Sequence, residues 1–278
     1  MGISLMTNVT SLNAQRNLNK TNSALADNIG RLSSGLRINR AGDDAAGLGV
    51  SARLSSQIRG FTQAERNAND GVSMLQTAEG GMSEIGNILS RMRELAVQAS
   101  NGGTLGTTER GYLDNEFQAL SDEIDRISNV SEYNGQKLLD GSLATSGADL
   151  QVGIFNTAND RITVQINDVR ASTLGITALN LTTATNSQAA LASIDTAITT
   201  VSTARGSIGA AQNRLTSAVN NIGSQKENYS AANSRIVDVD VAEESSALSR
   251  NQVLVQAGVA VLAQANQMPS YALSLLRG

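Results

Sequence analysis

Apolar residues recur every three or four positions at both ends of the chain: Leu25, Ile29, Leu32 and Leu36 near the start, and Val241, Leu248, Val255, Val259, Leu262, Leu273 and Leu276 near the finish. Heptad-like spacing of this kind puts one apolar stripe on an α-helix, and such a stripe needs a second helix to cover it. Each fully buried Leu or Val contributes roughly 1.5–3 kcal/mol, and neither end can bury its stripe alone. The simplest arrangement pairs residues 1–40 with 240–278 antiparallel. That predicts one long helical hairpin, thin enough to leave apolar surface for neighbouring subunits.

Between these ends the pattern predicts a second helical block over 41–239. Residues 34–47, with three glycines and several polar side chains, interrupt the first stripe and read as a connector. A long helical run then carries Leu54, Ile58, Phe61, Ala68, Val72, Leu75, Met82, Ile85, Leu89, Met92, Leu95 and Ala99 before Asn101-Gly102-Gly103 stops it. Leu113, Phe117, Leu120, Ile124 and Ile127 line a following helix, and Asn134-Gly135 and Asp140-Gly141 are turn dipeptides. Over Leu150–Ile154 and Arg161–Ile166 the period falls to two, which predicts a β-hairpin near 148–168. From about Ser187 the helical period returns through Ile194, Ile198, Val201, Ile208, Leu215, Val219, Ile222 and Tyr229. A polar break at 237–240 precedes the last helix, with Asp240 and Glu243 at capping-box spacing. The expected fold is mainly α: an antiparallel helical hairpin or coiled-coil rod with one small β-hairpin region.

Composition narrows the chemistry. Aromatics make up 3% of the 278 residues and Trp is absent, so the cores should be thin helix–helix seams and not a thick globular interior. His and Cys are both absent, which removes His/Cys zinc sites, Ser–His and Cys–His nucleophile systems and disulfide frameworks together. A net charge of −4, with no clustered Lys/Arg stripe, argues against nucleic acid as a partner. No apolar run is long enough to span a bilayer, and the first residues lack the basic and apolar regions of a Sec signal. Asp43 and Asp44, flanked by glycines, read as turn and cap carboxylates, since a hard cation wants about six oxygens. No catalytic, metal-binding or cofactor-binding residue is expected, so the chain reads as a structural protein and not an enzyme.

Several stretches carry a resemblance to a known family. They are Leu32-Ser33-Ser34-Gly35-Leu36-Arg37-Ile38-Asn39, Ala41-Gly42-Asp43-Asp44-Ala45-Ala46-Gly47-Leu48, and Asn67-Ala68-Asn69-Asp70-Gly71. Near the end come Gln256-Ala257-Gly258, Leu262-Ala263-Gln264-Ala265-Asn266-Gln267 and Leu273-Ser274-Leu275-Leu276-Arg277. In order and content these resemble the bacterial flagellins over nearly the whole chain except 142–186, where only the hydrophobic pattern agrees. The resemblance implies a secreted subunit that polymerises into the helical flagellar filament for swimming. It implies export by the flagellar type III system and an inner coiled-coil domain formed by the two ends. Outer domains found in larger flagellins have no room between Ile166 and Ser187, so a short, two-domain form is expected. Its implied partners are copies of itself, an export chaperone, the filament cap and the hook–filament junction proteins, with no membrane insertion. The polymer and inner-domain seam is then expected at Leu25, Ile29, Leu32, Leu36, Leu248, Val255, Val259, Leu262, Leu273 and Leu276.

The stretch Leu89–Gln98 reads as helix surface packing against the next subunit, and it is also similar to the family stretch contacted by the animal Toll-like flagellin receptor. Arg91, Leu95 and, on the next helix, Glu116 match its contact positions, while Ser90 departs from the Gln of well-recognised flagellins. Two other functions share the helical plan. A hook–filament junction protein would assemble only short rings, and a type III secretion translocator would need a strongly apolar membrane-inserting segment, which a mean hydropathy of −0.15 disfavours.

Overall fold

The computed structural model describes the backbone of residues 7–277 and the side chains of 7–268. Among these, the chain forms α1 (Val9–Ser34), α2 (Ala45–Ala99), α3 (Thr107–Val130), β1 (Glu132–Tyr133), β2 (Gln136–Lys137), β3 (Ala148–Gln151), β4 (Arg161–Val164), α4 (Ala184–Val237) and α5 (Val241–Arg277). Two compact units result. One is built from the chain up to Ser56 and from Asn228 onward, the other from Gln57–Glu227.

Local chemistry sets the helix ends. The Asn8 side chain accepts from Ser11 N at the start of α1, and Gly35 ends it at φ +71°, a left-handed conformation that favours glycine. Asp44 caps α2 by accepting from Gly47 N, while Asp43 accepts from the amides of Asn39 and Arg40 and folds the preceding turn. Both carboxylates are thus used by the backbone around them. Thr183 accepts from Asn186 N at the head of α4, and Asp240 accepts from Ala242 N and Glu243 N at the head of α5.

In the first unit, α1 and α5 pair antiparallel along one seam. Its α1 side runs Ser11, Ala14, Leu18, Thr21, Leu25, Asn28 and Leu32; its α5 side runs Glu244, Leu248, Asn251, Val255, Gly258, Leu262 and Ala265. Both series keep the alternating three- and four-residue steps of a coiled coil. At the root of the pair the connectors are clasped. Arg37 N donates to Val237 O at 2.6 Å and Val239 N to Gly35 O at 3.1 Å, so that Leu36 and Asp238 form an antiparallel bridge. The Arg37 guanidinium adds a bond to Ile236 O at 2.6 Å.

The second unit is a three-helix core carrying the β-segments. Along α2 the buried side reads Phe61, Ala64, Ala68, Leu75, Ala78, Met82, Ile85, Leu89, Met92, Ala96 and Ala99. α4 answers with Ile194, Val201, Ile208, Leu215 and Ile222 at one heptad position, and Ala190, Ala197, Ala204 and Ala211 at the other. Ion pairs and a hydrogen bond fix their antiparallel register, Glu65 with Lys226, Glu79 with Gln212 and Arg93 with Asp195. α3 contributes Phe117 and Ile124, both fully buried.

Arg110 on α3 reaches back to the end of α2, donating from Nε to Ala99 O at 3.0 Å and from Nη2 to Asn101 O at 2.8 Å. A buried cation thereby takes up carbonyls at the negative end of the helix. Arg110→Met keeps most of the apolar stem and removes both bonds. Charge-assisted bonds are worth roughly 1.5–3 kcal/mol, and each kcal/mol moves the midpoint about 2–4 °C for a unit of this size. With two such bonds lost, thermal unfolding followed by circular dichroism should therefore show a drop of roughly 6–24 °C.

β3 and β4 pair antiparallel as the alternation predicts, with Ala148 opposite Val164 and Gln151 opposite Arg161. A second, smaller hairpin, β1–β2, turns through Asn134 and Gly135 at φ +50° and +79°. Residues 165–183 form an irregular strap whose Ile166, Val169, Ala171, Leu174, Ile176 and Leu181 are buried. Side chains of α3 pin it, since Asp125 accepts from Ala171 N and Asp114 from Leu181 N. Within the strap, Asp168 holds Arg170 and Thr173. Burial pushes its carboxyl up, but those hydrogen bonds outweigh burial and leave the pKa below the usual carboxylate range.

Candidate assembly surface

A polymer contact must be built from what the fold leaves uncovered, and the first unit leaves a great deal. The α1–α5 seam half-buries Leu25, Leu32, Leu248, Val255 and Leu262. Leu36, expected on the same stripe, lies past the end of α1 and is half-buried in the connector bridge with Asp238, whereas Ile29 and Val259 lie on the outside of the seam and are about half exposed. The side chains of Leu273 and Leu276 lie outside the described residues. Val9 and Leu12 on α1, and Val241 and Val253 on α5, are likewise exposed.

More ordered than these is a second stripe on α5. Leu254, Val261 and Met268 follow one another at intervals of seven and are 49%, 56% and 52% exposed. They occupy the helix face beside the seam residues Val255 and Leu262. α5 therefore carries two parallel apolar stripes, of which the described residues cover one. Sequence reasoning overlooked the outer stripe because each of its members adjoins a seam residue; a search for a second register of seven would have found it. Removing one such Leu, Val or Met from water is worth roughly 1.5–3 kcal/mol, so enclosing all three would contribute several kcal/mol.

On the second unit the sequence-singled residues part company. Arg91 and Glu116 meet on the surface, Nη2 to Oε1 at 2.8 Å, and Arg91 also pairs with Glu94 at 3.0 Å. All three side chains are exposed. Leu95 is 1% exposed and belongs to the core. Any partner seated on Arg91 and Glu116 is met by polar groups and by the neighbouring Val97, not by Leu95. Ser90, Arg93, Glu94, Val97 and Gln98 line a shallow recess along the same face of α2. Among the described residues no group of three or more acidic side chains is placed to hold a metal, and no helix is long and apolar enough to cross a membrane.

Comparison with known proteins gives this surface its context. The family described as the bacterial flagellin N-terminal helical region matches residues 5–144, and the bacterial flagellin C-terminal helical region matches 191–276. A flagellin of Bacillus subtilis is 44% identical, the alignment covering 97% of this chain and 98% of that protein. The flagellar filament 33 kDa core protein of Treponema phagedenis is 41% identical over the same shares. Among solved structures, a crystal structure of Bacillus cereus flagellin superposes with a TM-score of 0.50 at 36% identity, covering 60% of this chain and 94% of that one.

Proposed function

The chain belongs to the bacterial flagellins, and from that premise we propose how its surfaces serve the filament that flagellins build. The protein is a structural subunit of the flagellar filament and not an enzyme. Residues 1–40 and 240–278 form the inner domain, the intervening chain forms the helical-bundle domain, and the outer stripe of α5 is a principal contact between copies. What carries this reading is the spacing and exposure of Leu254, Val261 and Met268, an ordered apolar stripe left about half exposed by the described residues. A contact between identical subunits that does not close on itself propagates into a helix. Helical reconstruction of the assembled filament should find the three side chains enclosed by a neighbouring subunit; finding them against open solvent would remove the assignment.

Family membership also supports export through the flagellar secretion apparatus to the cell exterior, with an export chaperone, the filament cap and the hook–filament junction proteins as partners. Neither a junction protein nor a translocator is favoured by relatives that match 97% of the chain under the names flagellin and filament core protein.

A second reading concerns the Arg91–Glu116 surface. The two residues, 25 positions apart, are brought together and exposed, which suits recognition of the monomer by the animal Toll-like flagellin receptor. In a receptor-reporter assay, Arg91→Ala should cut potency of the monomeric protein at least tenfold; an unchanged dose response would sink this reading.

A further inference from the structure

The two apolar stripes of α5 pose a choice that hydrophobic burial does not make. The outer stripe, Leu254, Val261 and Met268, is as apolar as the seam set Leu248, Val255 and Leu262, and lies one residue away, about 100° around the helix. Turned by that angle, α5 would bury the outer stripe on α1 and leave the seam set exposed. We propose that Asn28, Glu244 and Asn251 make the choice: they are positioning residues that fix the rotation of α5 and so decide which stripe is offered to other subunits.

The geometry is specific. Asn28 is buried in α1, and its Nδ2 donates to Oε1 of the buried Glu244 while its Oδ1 accepts from Asn251 Nδ2 at 2.7 Å. Arg31 Nη1 stands 3.9 Å from the same Glu244 oxygen. Glu244 and Asn251 are seven residues apart on the seam face, so both can reach one Asn only in the observed rotation. Turning α5 would withdraw both from Asn28 and leave its buried amide with neither its acceptor nor its donor, a state that folded proteins avoid. Polar residues inside a coiled-coil seam are known to specify alignment in this way, at some cost in stability. Gly258 adds a steric complement, since a Cβ there would lie 3.1 Å from Leu18 Cδ1. Toward the other end of the pair, Ser11 Oγ donates to Asn266 Oδ1 and Asn8 Nδ2 to Ala265 O, both at 2.7 Å, but these bonds are exposed or only partly buried; the cluster around Asn28 is the buried polar link.

The proposal rests on the outer stripe being the contact between copies, and its test separates the two ideas. The chain has no Cys, so introduced pairs report cleanly. Thr21→Cys is combined with Val255→Cys, which reads the observed rotation, or with Leu254→Cys, which reads the turned one. Intrachain bridging of the full-length protein under polymerising conditions is quantified by non-reducing mass spectrometry. With the cluster intact the first pair should bridge at least tenfold more than the second. Asn28→Leu, which strands Glu244 and Asn251, should bring that ratio to about one and slow growth from seeds at least tenfold. The triple variant N28L/E244L/N251L makes the seam apolar throughout and should restore both. A ratio that Asn28→Leu leaves unchanged overturns the proposal, as does loss of both bridges, which would mean that the cluster merely holds the helices together. A collapsed ratio with undiminished growth would keep the cluster's role and overturn the outer stripe as the contact between copies.

Discussion

Val261→Asp should stop filament growth while leaving the 57–227 unit as stable as before. Val261 is more than half exposed in the single chain, so the substituted carboxylate stays in water until assembly. It costs the monomer only a helix-propensity difference of a few tenths of a kcal/mol. In the polymer the same carboxylate must be buried against a neighbour with no counter-charge, a penalty of several kcal/mol. At 1.4 kcal/mol per tenfold, the critical concentration should rise by more than about a hundredfold. Light scattering from seeded growth would measure it, with calorimetry of the unassembled chain as the control. Growth at the usual concentration would show that this face of α5 is not a contact.

Phe117→Ala should have the opposite signature, unfolding the second unit before it touches assembly. Phe117 is fully buried on α3 in a chain with only three phenylalanines. Large-to-small changes at such sites cost roughly 3–5 kcal/mol, because the cavity adds to the lost transfer energy. Against a typical total of about 5–15 kcal/mol, that is a large share, and the thermal midpoint should fall by roughly 6–20 °C. A shift of less than about 3 °C would mean that the surrounding helices collapse into the space.

Most of the architecture was legible because helices announce themselves by period. α2, α3, α4 and α5 fall where the three-four spacing places them, and the break at 237–240 separates α4 from α5 as read. Strand ends were less legible. Alternation continues to Ile154 and Ile166, yet pairing stops at Gln151 and Val164: at the turn Val152 N and Gly153 N both bond to Asp160 O and close the hairpin early, and at the open end Ile166 N turns instead to Leu143 O. The β1–β2 hairpin hid inside a dipeptide read only as a turn, being too short to show a period. Long-range polar contacts left no trace at all. Asn28 interrupts an apolar stripe and reads as a flaw until Glu244 and Asn251, more than 200 residues away, are seen beside it. Ile29 looked like a stripe member for the converse reason, since spacing alone cannot tell a covered side chain from one awaiting a partner. Arg110 and the strap of 165–183 escaped notice likewise, since Arg110 meets backbone carbonyls and the strap's amides meet Asp114 and Asp125 of α3, partners set only by the fold.

The alanines of α4 bear on how the filament behaves under load. A propeller turned continuously is a fatigue problem, and in a packed protein slow yielding begins where side chains can hop between rotamers. Alanine has no rotamer to change and loses no side-chain entropy on burial. Ala190, Ala197, Ala204 and Ala211, fully or almost fully enclosed, therefore give the 57–227 unit a row of joints that torque can strain but cannot rearrange. Along that row, bending work should be returned elastically, with little creep over many rotations.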